Sequence, residues 1–69
     1  MRDPKRIHEF CKRLEAAWLL LPDWRFGQLM MNIFTAMKSE RKDPFFIEDD
    51  RLLEFVENYI SKLTGVPLN

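Results

Sequence analysis

The chain has 69 residues, of which 46% are apolar and 32% charged, with eleven Lys/Arg balanced by eleven Asp/Glu. That length makes one domain, of a size that buries only about 60% of the surface its unfolded form exposes. A single cysteine excludes an internal disulfide framework, zero net charge gives no polycation argument for nucleic acid, and the longest apolar run, residues 16–21, falls far short of the roughly 20 residues that span a bilayer.

The first residues, Met1-Arg2-Asp3-Pro4-Lys5-Arg6, lead into His8, Glu9, Lys12 and Arg13 instead of a continuous apolar segment. This is not the pattern of a secretory signal, and with one reduced thiol it gives the expectation of a cytoplasmic protein. Neutrality hides a polarity along the chain. Residues 1–42 hold nine Lys/Arg against five acids, a net of +4, and residues 43–69 hold two against six, a net of −4. Whether that polarity survives in space depends on how the helices fold back.

A first helix is expected over about residues 4–20, opened by Asp3 as N-cap and Pro4 in the first helical position. Ile7, Phe10, Cys11, Leu14, Ala17, Trp18 and Leu21 recur at helical spacing and predict the buried face. Arg2, Lys5, Arg6, Glu9, Lys12 and Arg13 fall opposite, with Lys5/Glu9 and Glu9/Arg13 placed for four-apart ion pairs. Pro22 is the stop signal. Asp23 is then the expected N-cap of a second helix, about residues 24–38, whose stripe is Phe26, Leu29, Met30, Ile33, Phe34 and Met37. Gly27 in its first turns costs about 0.5–1 kcal/mol relative to alanine, and close approach of the first helix is the reason expected for it.

Residues 39–44 read as a polar loop, after which Phe45, Phe46 and Ile47 are expected to return to the core. A third helix follows over about residues 49–63, with Leu52, Phe55, Val56, Tyr59, Ile60 and Leu63 as its apolar positions and Gly65-Val66-Pro67 as its stop. The pattern predicts an all-α, compact three-helix domain without repeats or strands.

Glu48, Asp49 and Asp50 stand where the third helix opens, and negative side chains there favour the helix by about 0.3–1 kcal/mol each. Capping is their expected role. A calcium loop requires alternating oxygen ligands around a central glycine, which this stretch lacks, so no metal is expected. His8, Cys11 and Glu15 share a helix face, but Cys11 falls in the apolar stripe, where a small buried thiol packs without chemistry. Ser39 and Ser61 have no G-x-S-x-G context, and two glycines cannot build a phosphate-cradling loop. No enzyme and no cofactor is expected.

For nucleic acid, the available footprint is the basic face of the first helix, Lys5, Arg6, Lys12 and Arg13, or Arg25, Lys38, Arg41 and Lys42 around the second. The last helix presents Asp50, Glu54 and Glu57, which phosphate would repel, so this is the alternative reading. The apolar excess carries the preferred one. Leu19, Leu20, Trp24, Met31 and Leu53 lie off the main stripes, and a patch of Trp24, Arg25, Met31, Leu20 and Leu53 is the expected partner-binding surface. A protein partner or a homodimer is expected, with no membrane association.

The pattern "RIHEFCKRLEAAW...PDWRFGQL...FIEDDRLLEFV", over about residues 5–60, resembles the YihD-like small proteins of bacteria and phages. The matching features are Arg6-Ile7, Ala17-Trp18, Pro22-Asp23 with Gln28-Leu29 after it, and Asp49-Asp50. The resemblance implies a small cytoplasmic helical protein and assigns no catalytic residue. The function expected is a non-enzymatic module that docks on a larger bacterial assembly and modulates it, an inhibitor of a host defence complex being one form if the chain is phage-encoded. A self-associating structural unit is a further alternative.

Overall fold

In the computed structural model, which describes residues 2–68, three helices follow in the order α1 (Lys5–Trp18), α2 (Phe26–Ser39) and α3 (Asp49–Thr64). No strand occurs among the described residues, so the all-α three-helix expectation is met, with each helix end within two residues of its expected place.

Local chemistry sets the ends. The Lys5 N–H donates to Asp3 Oδ1 at 2.9 Å and the Arg6 N–H to the Asp3 carbonyl, so Asp3 satisfies first-turn donors although Pro4 holds the cap position itself. α1 stops at Trp18, four residues before Pro22, because the chain tightens into turns in which Leu20 donates to the Ala17 carbonyl and Leu21 to that of Trp18. The Trp18 indole N–H donates to the Trp24 carbonyl at 2.9 Å and pins this connection. Asp23 does not cap α2. Arg25 takes the N-cap position, and its N–H donates to the Gln28 side-chain oxygen at 2.8 Å, so the glutamine reaching back does the work assigned to the aspartate.

At the other end of α2, Arg41 donates to the Lys38 carbonyl and Lys42 to that of Met37, the paired bonds of a Schellman stop. Arg41 adopts φ 60° there, the left-handed conformation usually left to glycine. α3 ends as expected, with Gly65 at φ 75° and its N–H on the Ser61 carbonyl at 2.7 Å.

Ala17, Leu29, Ile33, Met37, Val56 and Ile60 form the buried cluster, and α3 is the element on which both other helices pack. That double contact widens the buried arc of α3. Leu53, expected at a partner surface, is only 2% exposed, and Glu57 is buried beside it. α1 contributes fewer side chains than its periodicity predicts. Its C-terminal half reaches the core through Ala17, with Leu14 and Trp18 packed around it, whereas Ile7 and Cys11 are exposed.

What joins the rest of α1 to α3 is a row of ion pairs. Arg2 meets Glu48 at 3.0 Å, Arg6 meets Asp49 at 2.8 Å and Arg13 meets Glu57 at 2.7 Å. The last pair lies about two turns beyond the second on both helices, so α1 and α3 run side by side in the same direction. The charge polarity of the sequence is therefore cancelled across this seam, and Arg13 is engaged by Glu57 instead of by Glu9.

Candidate functional site

Phe45 and Phe46 do not return to the core. They are 83% and 78% exposed, and their rings meet edge to face with centroids 4.8 Å apart. The loop that carries them is locally built. Asp43 Oδ1 accepts the Phe45 N–H at 2.9 Å, and the Asp43 carbonyl accepts the N–H groups of Phe46 and Ile47 at 3.2 Å each. An aspartate before proline that gathers the next amides in this way closes a tight turn on itself. The turn folds Ile47 inward against the core and leaves the two preceding rings outside. On the α2 side, Lys42 Nζ sits 5.1 Å from the centroid of the Phe55 ring, and Lys38, Arg41, Lys42, Asp43 and Pro44 line a shallow depression with Phe34. On the α3 side stand Glu48 and Asp49, engaged with Arg2 and Arg6, and exposed Asp50. The aromatic pair thus lies between a cationic flank on the α2 side and ion-paired carboxylates on the α3 side.

The expected patch of Trp24, Arg25, Met31, Leu20 and Leu53 is divided. Leu53 is core, while Leu20 and Trp24 are half-buried and packed against the core. Arg25 is exposed, and Met31 is 66% exposed. Trp24 and Met31 do share a groove of about 490 Å³ with Gly27, Gln28 and Asn32. Gly27 is not there for α1, since a Cβ built on it would meet nothing within 4 Å. A side chain there would stand in open space at the edge of the groove.

Of the basic set Lys5, Arg6, Lys12 and Arg13, the structure turns Arg6 and Arg13 toward carboxylates of α3 and leaves Lys5 and Lys12 exposed. Two of the four cations are neutralised within the chain. Arg13 donates from Nη2 and Nε to both Glu57 oxygens, at 2.7 and 3.2 Å, and this hydrogen bonding raises the guanidinium pKa above its ordinary value. The sequence pattern groups Glu57 with Asp50 and Glu54 as outward acids, whereas the structure buries it. Its position four residues after Leu53 and three before Ile60 is the signal that places it on the buried side.

Of the acids at the start of α3, Asp50 meets the capping expectation, its Oδ1 accepting the first-turn N–H of Arg51 at 2.9 Å, whereas Glu48 and Asp49 play a different part. Glu48 holds the N-cap position without a side-chain cap bond, and Glu48 and Asp49 instead receive Arg2 and Arg6. Asp49 and Asp50 still lie in the first turn, where the helix dipole favours them. Cys11 is exposed rather than packed, and lines a depression of about 320 Å³ with Leu14, Glu15, Trp18, Leu19 and Pro22. Among the described residues no three His, Cys, Asp or Glu side chains converge as a metal set. Among the described residues no helix is long and apolar enough to cross a membrane.

Comparison with protein-family models, curated proteins and solved structures finds no match to this chain, so the site rests on its own geometry.

Proposed function

We propose that the chain is a non-enzymatic protein-binding module that docks on a larger bacterial assembly and modulates it, with Phe45 and Phe46 as the docking element. The observation that carries this reading is the placement of two adjacent phenylalanines almost wholly in solvent on a turn fixed by three hydrogen bonds to Asp43. Each phenylalanine can bury about 150–250 Å² in a partner's pocket, and an ordered loop loses little freedom on binding.

A protein pocket suits the pair better than a lipid surface. Lys38, Arg41 and Lys42 beside the loop are matched by Glu40, Asp43 and Asp50, and Glu48 and Asp49 by Arg2 and Arg6, so an anionic membrane gains no net attraction at this end of the molecule. Mixed charge around an apolar centre is the arrangement of a protein interface, with its polar rim.

The test compares the wild-type chain with the double variant Phe45→Ser/Phe46→Ser. A protein captured from a bacterial lysate by the wild type is purified and its direct affinity for both forms measured. Loss of an anchor worth about 2 kcal/mol weakens binding roughly 30-fold. Equal affinity for the two forms would remove the aromatic pair from the proposed function.

A further inference from the structure

Arg41 is a residue that the fold does not explain. It occupies the left-handed stop of α2 at φ 60°, where glycine is the stable choice and an arginine is strained. Among the described residues its side chain makes no hydrogen bond or ion pair that would offset the strain. A strained backbone position kept without an internal contact points to a use outside the fold. Lys38, one turn earlier, is also exposed and also meets no carboxylate among the described residues. The two are held together by the backbone, the Arg41 N–H donating to the Lys38 carbonyl at 3.0 Å.

Lys38, Arg41 and Lys42 line a depression of about 450 Å³ whose apolar wall is half-buried Phe34 and Pro44. Pro44 leads directly into the displayed Phe45 and Phe46. The charges around the loop balance in number but not in use. Arg2 and Arg6 engage Glu48 and Asp49, the Phe45 N–H engages Asp43 Oδ1, and Glu40 lies 3.8 Å from Lys42, which also faces the Phe55 ring. Lys38 and Arg41 remain. A membrane or a nucleic-acid backbone spreads its charge beyond the screening length of about 8 Å and meets all these groups together. One carboxylate in contact with Lys38 and Arg41 meets those two first. The remaining cation near α2, Arg25, stands at the far end of a helix about 21 Å long, so the basic set around α2 is no continuous track for phosphates.

We infer that this depression is a subsite for an acidic peptide segment. The partner that receives Phe45 and Phe46 sets an Asp or Glu carboxylate beside its apolar pocket, against Arg41 and Lys38. The inference rests on the docking role of the loop and adds the partner's chemistry to it. The Arg41 guanidinium offers a carboxylate paired N–H donors, Lys38 adds a second charge, and Phe34 and Pro44 give the methylenes of the acidic side chain an apolar surface.

The experiment is an NMR titration of the isotopically labelled full chain with a hexaglutamate peptide, its hexaglutamine counterpart and a DNA duplex, with thermal unfolding of each variant in parallel. Hexaglutamate is expected to shift the Lys38, Arg41 and Lys42 resonances saturably, and hexaglutamine to leave them in place. Arg41→Gly should weaken hexaglutamate binding about 3-fold, and Lys38→Gln/Arg41→Gly about 10-fold. Arg41→Gly should also melt above wild type, so its lost binding cannot come from lost folding. Phe45→Ser/Phe46→Ser should bind hexaglutamate like wild type, so a failed subsite and a failed docking loop show in different variants. Hexaglutamate that shifts nothing, or binding unchanged in Lys38→Gln/Arg41→Gly, overturns the inference. Tighter binding of the duplex through the same residues also overturns it, because the depression would then be a phosphate site.

Discussion

Substituting Arg13 by methionine tests the seam between α1 and α3. Methionine keeps much of the stem that packs along the helix and removes both hydrogen bonds to Glu57. The Glu57 side chain is only 7% exposed and that of Arg13 42%, so the pair lies between two regimes. Removing one partner of a fully buried pair costs about 3–5 kcal/mol, and an exposed pair is worth about 0–1 kcal/mol. With water able to reach the arginine but hardly the carboxylate, the expected cost is about 2 kcal/mol, in the range of hydrogen bonds to charged groups. In a domain of this size each kcal/mol moves Tm by about 4–8 °C, so the variant should melt about 8–16 °C below wild type. A double-mutant cycle with Glu57→Gln should return a coupling of about 1 kcal/mol or more. Thermal unfolding followed by circular dichroism reads all four proteins. A melt within about 2 °C of wild type would refute the reasoning, because the seam would then be ornamental.

Other outcomes follow from single residues. Arg2→Met breaks a pair exposed by 60% and 64% on its two sides, and should cost less than about 0.5 kcal/mol in the same unfolding assay. Arg41→Gly relieves a left-handed arginine and should raise stability by about 1 kcal/mol, seen as a Tm increase of about 4–8 °C. Gly27→Ala meets no neighbour and should stabilise the isolated monomer by about 0.5–1 kcal/mol, measured by urea unfolding below the concentration of any self-association. Cys11 should react with a thiol reagent in native protein as fast as in the unfolded chain, and slow, unfolding-limited labelling would contradict its exposed position.

The helices were legible because apolar periodicity and stop signals act locally. The 3.6-residue repeat marks α2 and α3, and Gly65 takes the left-handed stop its position asks for. The failures share a cause, since periodicity identifies a face but not what covers it. α1 has an apolar stripe as regular as the others, yet only its C-terminal half reaches the buried cluster, which leaves Ile7 and Cys11 outside. α3 touches two helices, so its buried arc takes in Leu53 and Glu57, which a single-stripe reading assigns to the surface. Phe45 and Phe46 depart furthest from the buried placement their pattern predicts. Two phenylalanines and an isoleucine after a polar loop read as core, and the clue against it was Asp43-Pro44, whose local turn rotates the first two rings outward before Ile47 comes in. The charge polarity was visible in the sequence, but its cancellation depended on α1 and α3 lying side by side.

The central claim is that the two phenylalanines are displayed rather than buried, and the thermal stability of Phe45→Ser/Phe46→Ser tests it most directly. Exposed rings contribute little to folding, so the variant should melt within about 2 °C of wild type. If the rings were core, their loss would cost about 3–5 kcal/mol for each one and unfold a domain this small. An unfolded or strongly destabilised variant would contradict the account.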